Sequence, residues 1–257
     1  MIVVTGTMRS GTSMWMQLLI AAGLPHVGEA FPADFGPALR ELNPRGFFES
    51  QLVAGIYHAT NPHPETGEYL FPEKTRRHVV KVFASGLVRT DVAYLDRVIA
   101  TVRPFREFCA SVGRMNDAVG QGDAPAGPTW LRWWIGNFGV IRSAAVRRFP
   151  VHVTTYGRMV RDPIREVETV LEWVGGGNAR AAADAVDPSL RTCEGAPTPP
   201  GISARHAAVF DDLYEHLDRG RDLSPALVER LNQTDRELQP LMLSTFAKTF
   251  EPRRSAP

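Results

Sequence analysis

The chain is short of several things, and each shortage excludes a class of protein. Only two cysteines, Cys109 and Cys193, occur in 257 residues, too few for a disulfide framework. Cys109 falls on the apolar face of an expected helix, where a core residue belongs. No apolar run has the length of a membrane-spanning helix, and with the first expected strand beginning at Ile2 no signal peptide is expected. Neither sign of charge is in excess: 29 Lys and Arg against 28 Asp and Glu leave a formal +1, which argues against bulk binding to nucleic acid. What remains is a globular composition, 44% hydrophobic and 22% charged. It suits one α/β domain over residues 1–250, with a frayed tail at 251–257 and the cytoplasm as the expected compartment.

One further absence governs the N-terminal segment. Ile2-Val3-Val4-Thr5 reads as a strand, Gly6-Thr7-Met8-Arg9-Ser10-Gly11-Thr12-Ser13 as a glycine-bounded loop, and Met14-Trp15-Met16-Gln17-Leu18-Leu19 as an amphipathic helix. Such an order aims the free N–H groups and the positive dipole end of a helix at an anion. The Gly-x4-Gly spacing followed by hydroxyl residues is that of a nucleotide-phosphate loop, yet Thr12 stands where a nucleotide triphosphatase places its lysine. The cation sits earlier, at Arg9. With no evident strand-borne aspartate for magnesium either, the loop reads as a site for a phosphate-like group handled without metal.

Two later segments repeat the strand-to-helix junction. Val98 to Val102 reads as a buried strand, followed by Arg103, then Pro104 at the first helical position, with Phe105, Phe108, Cys109, Val112 and Met115 on one face. Arg103 therefore lies at a strand's carboxyl end, where open α/β sheets bind ligands, and Ser111 returns to nearly the same side two turns beyond Pro104. Val151 to Tyr156 alternates as a strand. Asp162-Pro163 then opens a helix whose Ile164, Val167, Val170, Leu171 and Val174 share a face, with its glutamates pointing away and Gly175 as its stop. His78 to Phe83 is a further strand. Thr129 to Phe149 forms a long helix in which Trp130, Trp133 and Trp134 read as core, and Ser224-Pro225 caps a last helix. Asn61 to Pro72 and Glu194 to Gly201 are loops. Strands ending at Thr5, Phe83, Val102 and Tyr156, separated by helices, imply a three-layer α/β/α sandwich on a central parallel sheet.

Arg9-Ser10-Gly11-Thr12-Ser13-Met14-Trp15 resembles the 5'-phosphosulfate loop of sulfotransferases, and Arg103 with Ser111 resembles their 3'-phosphate element. The likeness is closest to the bacterial members and thins after Gly175, where no basic, glycine-containing C-terminal motif is evident. It implies a P-loop-like fold and a donor, 3'-phosphoadenosine 5'-phosphosulfate (PAPS), with the bisphosphate PAP as product and no metal. It also implies a small hydroxyl acceptor, and no nucleic-acid or membrane partner. In relatives the tyrosine matching Tyr156 lies near the adenine, although Gly157-Arg158 here replaces their usual acidic pair. Relatives of the cytosolic type follow the lysine matching Lys81 with a histidine two residues later, and here that place is Phe83. The base then falls to a carboxylate: Glu49, in Asn43-Pro44-Arg45-Gly46-Phe47-Phe48-Glu49, ahead of Glu29, with His26 and His58 behind them. Lys81 would stabilise the leaving phosphate. Two other classes share the loop: a P-loop kinase that has lost its lysine, and a nucleotide-binding domain without catalysis.

Overall fold

The computed structural model describes residues 1–33, 35–120, 127–187 and 193–250, so the tail expected to fray, 251–257, lies outside the described residues. Five strands form one parallel sheet: β1 (Ile2–Gly6), β2 (His26–Val27), β3 (Val79–Phe83), β4 (Arg97–Val102) and β5 (Val151–Thr155). Their order is β2-β3-β1-β4-β5. In the first half, α1 (Thr12–Ala21), α2 (Pro37–Leu42), α3 (Ala84–Leu87), α4 (Phe105–Ala118) and α5 (Thr129–Arg147) flank the sheet. In the second half come α6 (Tyr156–Arg161), α7 (Pro163–Val174), α8 (Ala179–Asp184), α9 (Ala204–Asp218) and α10 (Pro225–Phe250).

Strand periodicity explains why both faces are covered. Ile2, Val4, Val79 and Ile99 pack with Trp15 and Leu18 of α1 and Val167 and Val170 of α7. The intervening Val3, Val80, Val82, Val98 and Ala100 pack with Leu52, Leu87 and Val140 on the other side. A strand buried on both faces has no polar side to show, hence its unbroken β-branched runs. The same parity sends positions 81, 101 and 103 toward the α1 side. From central β1 the chain passes to the edge strand β2, returns to β3 beside β1, then crosses to β4 and β5 on the other side. The crevice at the carboxyl end of β1 is therefore the switch point at which such sheets bind ligands.

Several expected boundaries shift. Pro104 is the residue before α4 rather than its first helical position. The long helix α5 closes at Arg147 because Arg148 takes a left-handed φ of 56°. Thr155 ends β5 and caps the next turn, its hydroxyl accepting from the Arg158 N–H at 3.2 Å, so Tyr156 opens α6 instead of closing the strand. The two-residue β2 was not expected, being too short to carry an alternating pattern. Trp133 and Trp134 stack on Phe210 at 5.1 and 4.9 Å and are core, while the Ser224 hydroxyl caps α10 through the Leu227 N–H at 3.3 Å.

The α7 pattern needs two corrections. Ile164 is 58% exposed, and Glu166, expected to face water, is buried one turn before Val170. Its charge has partners there: Glu166 Oε1 accepts from Thr154 Oγ1 at 2.5 Å and pairs with Arg158 at 3.2 Å. Glu166→Leu is expected to cost about 3 kcal/mol, the lower end for breaking a buried pair because Arg158 keeps some water. Urea unfolding measures it, and a change within about 0.5 kcal/mol, the surface norm, would contradict that role.

Burial also pushes the Cys109 thiol up to about 12. At pH 8 it stays protonated and unreactive. In the folded protein, iodoacetamide should leave Cys109 unmodified by mass spectrometry, whereas in urea it should label it. Native labelling at the rate of a free thiol would contradict this burial.

Candidate active site

The loop after β1 is held by steric fit and by hydrogen bonds. A Cβ on Gly6 would collide with Ser10 Oγ and stand 2.6 Å from the Thr101 carbonyl oxygen, so only glycine lets the chain fold back there. Arg9 and Gly11 take left-handed φ values of 69° and 109°. The Ser10 N–H donates to Thr7 O at 3.0 Å, and Thr101 Oγ1, on the α1 side of β4, donates to Ser10 O at 3.0 Å. The first bond of α1 runs from Trp15 N–H to Gly11 O, which leaves the N–H groups of Thr12 and Ser13 without helical acceptors. Both residues line a cavity of about 380 Å³.

Cations surround that cavity. Arg9 Nε donates to Ser111 Oγ at 3.1 Å, joining the loop to α4. Arg103, 6% exposed, pairs with Glu107 one turn on at 3.3 Å. It also donates to Arg9 O at 3.5 Å and lies 4.7 Å over the Tyr156 ring. Its backbone is pinned by Trp133 Nε1, which donates to Arg103 O at 2.7 Å. Among the described residues, Arg103 Nη2 is buried with no hydrogen-bond partner. Burial, then the charges of Arg103 and Arg114, hold the Arg9 guanidinium below its ordinary value. It is still a cation at neutral pH, and like charges gathered this closely favour an anion among them.

Lys81 enters from the other side. Its place in β3 turns it toward α1, where it is 2% exposed. Its ammonium donates to Ser13 Oγ at 3.1 Å, Phe47 O at 3.2 Å and Glu49 Oε1 at 2.5 Å. The Phe47 and Phe83 rings stand 5.7 and 5.2 Å away. Burial lowers the Lys81 pKa, with Glu49 acting in the opposite direction.

Glu29 and Glu49 are brought face to face as an antiparallel bridge, with N–H to carbonyl distances of 2.9 and 3.0 Å. Their side chains part company. Glu49 lines the loop's cavity as well as a second one of about 370 Å³, whereas Glu29 is exposed and lines only the second. His26 lies exposed beside Phe48, and His58 is exposed beside Tyr57. The structure thus gathers Arg9, Gly11, Thr12, Ser13, Lys81, Glu49, Arg103 and Tyr156 on one cavity and leaves Glu29 and both histidines outside it. Ser10 and Ser111 sit buried behind the wall. Ser111 is held by Arg9 rather than standing open beside Arg103, because the second turn of α4 runs along the loop. Sequence reading missed Thr101 and Glu107, although strand parity pointed at the first and the i, i+4 spacing from Arg103 at the second.

Among the described residues, no group of three or more His, Cys, Asp or Glu is placed to hold a metal ion, and no helix is long and apolar enough to cross a membrane. No family model matches the chain, and no curated protein matches it. Among solved structures it is similar to the sulfotransferase STF1 from Mycobacterium tuberculosis H37Rv, at 17% identity and a TM-score of 0.43, over 71% of this chain and 70% of that one.

Proposed function

We propose that this site moves a sulfuryl group from PAPS to the hydroxyl of a small acceptor, releasing PAP, with protein cations in place of a metal. The observation that carries the reading is the convergence on one cavity of a lysine-free phosphate loop, two buried cations (Arg103 and Lys81) and a carboxylate (Glu49). The residues fit a nucleotide with anions at both ends. The loop offers helix N–H groups to one anion, and the buried Arg103 Nη2 has bonding capacity for another. When bound, PAPS supplies a sulfuryl group whose bond to the 5'-phosphate oxygen breaks as one to the acceptor oxygen forms.

Arg9, the N–H groups of Thr12 and Ser13 and their hydroxyls hold the phosphosulfate end. Arg103 holds the 3'-phosphate, in a wall that Arg9 and Ser111 build together, and Tyr156 offers a ring face to the nucleoside. Lys81 neutralises charge on the departing phosphate oxygen. Glu49 takes the acceptor's proton at its carboxylate, and its hydrogen bond to Lys81 keeps base and leaving-group cation side by side.

Transfer of labelled sulfur from PAPS to phenols and alcohols, measured in EDTA, tests the reaction. Nucleotide preference tests the second anion site. Wild type is expected to bind PAP about 10–100-fold more tightly than adenosine 5'-phosphate, the scale of one bond to a charged group. Arg103→Ala should erase most of that margin. Equal affinity of the wild type for both nucleotides would overturn the reading.

A further inference from the structure

The phosphate loop and Arg103, which come from different strands, both rest on one turn of α5. The Trp133 indole N–H donates to Arg103 O at 2.7 Å. Three residues further on, Gly136 lies against Thr7 of the loop. A Cβ on Gly136 would stand 2.4 Å from Thr7 Cγ2, a distance that real Cβ contacts do not show, but 3.5 Å from Ala84 Cβ, an ordinary contact. The helix itself does not ask for this glycine, because position 136 is interior to α5, where alanine is the better helix former. Gly139, one turn on, has open space where its Cβ would be, with nothing within 4 Å. The close approach is confined to the point where the loop passes.

Both sides of that approach are stiff. Trp133 is fully buried and stacks on Phe210 at 5.1 Å, and Asn137 Nδ2 donates to Trp133 O at 2.8 Å. Thr7 is buried, and its Oγ1 has no hydrogen-bond partner among the described residues, so packing against α5 sets its place. Thr7 O accepts the Ser10 N–H at 3.0 Å, and a displaced Thr7 therefore carries the Arg9 turn with it. Thr7, Trp133 and Gly136 are not among the described residues that line the cavity.

We infer that α5 sets the separation of the two anion sites, with Trp133 and Gly136 as positioning residues that touch neither donor nor acceptor. Trp133 fixes where Arg103 stands, and Gly136 fixes how deep the phosphate loop lies. The turn between them, about 4.5 Å of helix axis, ties the two together. The inference rests on the sulfuryl-transfer reading and adds what determines its nucleotide preference. Such placement matters because a shift of about 1 Å at a site of this kind can cost about 100-fold.

Calorimetric titration with PAP and with adenosine 5'-phosphate tests the inference. Gly136→Ala moves the loop, so both nucleotides should bind about 10–100-fold more weakly. Gly139→Ala, an equal gain in helix propensity, should bind both as the wild type does. Thr7→Ser removes the obstructing Cγ2. In its background Gly136→Ala should cost no more than about twofold, the scatter of independent sites. Trp133→Phe loosens Arg103 alone, so PAP should lose about 2–10-fold, the worth of one hydrogen bond, and adenosine 5'-phosphate nothing. Thermal unfolding checks each variant, and if Gly136→Ala does not fold, the Trp133→Phe comparison decides. Wild-type affinities in Gly136→Ala, an equal loss in Gly139→Ala, or a loss that Thr7→Ser does not relieve would overturn the role of α5. So would a Trp133→Phe loss shared equally by the two nucleotides. A wild type that does not prefer PAP overturns the sulfuryl-transfer reading instead.

Discussion

Glu49→Gln is expected to lower turnover by about 10²–10⁴-fold, the usual worth of a positioned general base, while PAP binding persists. Glu29→Gln should stay close to wild type, because Glu29 is exposed and lines only the neighbouring cavity. The two variants make a matched pair, since both glutamates belong to one backbone bridge. Glu49 has a second task, however, as the carboxylate on Lys81, and its loss leaves a 2%-exposed ammonium without a counter-charge. Some destabilisation of Glu49→Gln should follow, and its pH dependence identifies the cause. In the fold, the Lys81 pKa is held below its ordinary 10.5, chiefly by burial, and Glu49 opposes that shift. Between the lowered value and 10.5 the unfolded chain binds more protons than the native one, so stability rises with pH across that window. Removing Glu49 widens the window downward. The stability gap between Glu49→Gln and wild type should therefore narrow as the pH is raised toward 10.5, as urea unfolding at several pH values would show. A fully active Glu49→Gln would remove the base assignment. An inactive but equally stable variant would keep the base and remove the counter-ion role.

Arg9→Ala is expected to reduce kcat/KM by about 2–4 kcal/mol, or roughly 30–1,000-fold, the scale of losing one charge-stabilising donor in the transition state. Backbone strain does not confuse the comparison, since Arg9 and its replacement occupy the same left-handed φ of 69°. Arg9→Lys should recover only part of the loss. The guanidinium donates to Ser111 through Nε and Arg9 lines the cavity, and a single ammonium cannot reproduce the guanidinium's fork of donors. PAP affinity should fall less than kcat/KM, because charge on the bridging oxygen grows during transfer. Equal losses in both would make Arg9 a binding group only, and unchanged turnover would remove it from the site.

Much of this arrangement was legible in the chain because it rests on local rules. Gly6 and Gly11, the β-branched run before them and the hydroxyls after them define a strand, a turn and a helix N-terminus within a dozen residues. Strand parity alone sends Lys81 toward Ser13. The parts that resisted reading depend on irregular backbone. Glu49 reaches Lys81 through a segment folded by close approaches at glycine, where a Cβ on Gly28 would stand 3.0 Å from Phe48 O and one on Gly46 2.8 Å from the Ala30 Cβ. No periodicity encodes such a path. Helical spacing sets Ser111 two turns beyond Pro104, but its partner is decided by the Arg9 rotamer, which sequence does not carry. Glu166 was misread because a glutamate one turn before Val170 looks solvated until Thr154 and Arg158 arrive from other elements.

The most direct test of the central claim is calorimetry of the wild-type protein in EDTA against PAP and adenosine 5'-phosphate, with a parallel titration of ATP and magnesium. Metal-free binding of PAP is expected, tighter than adenosine 5'-phosphate by about tenfold or more, with no comparable affinity for the magnesium nucleotide. Preference for ATP with magnesium, or binding that fails in EDTA, would contradict it and place the loop with the phosphotransferases.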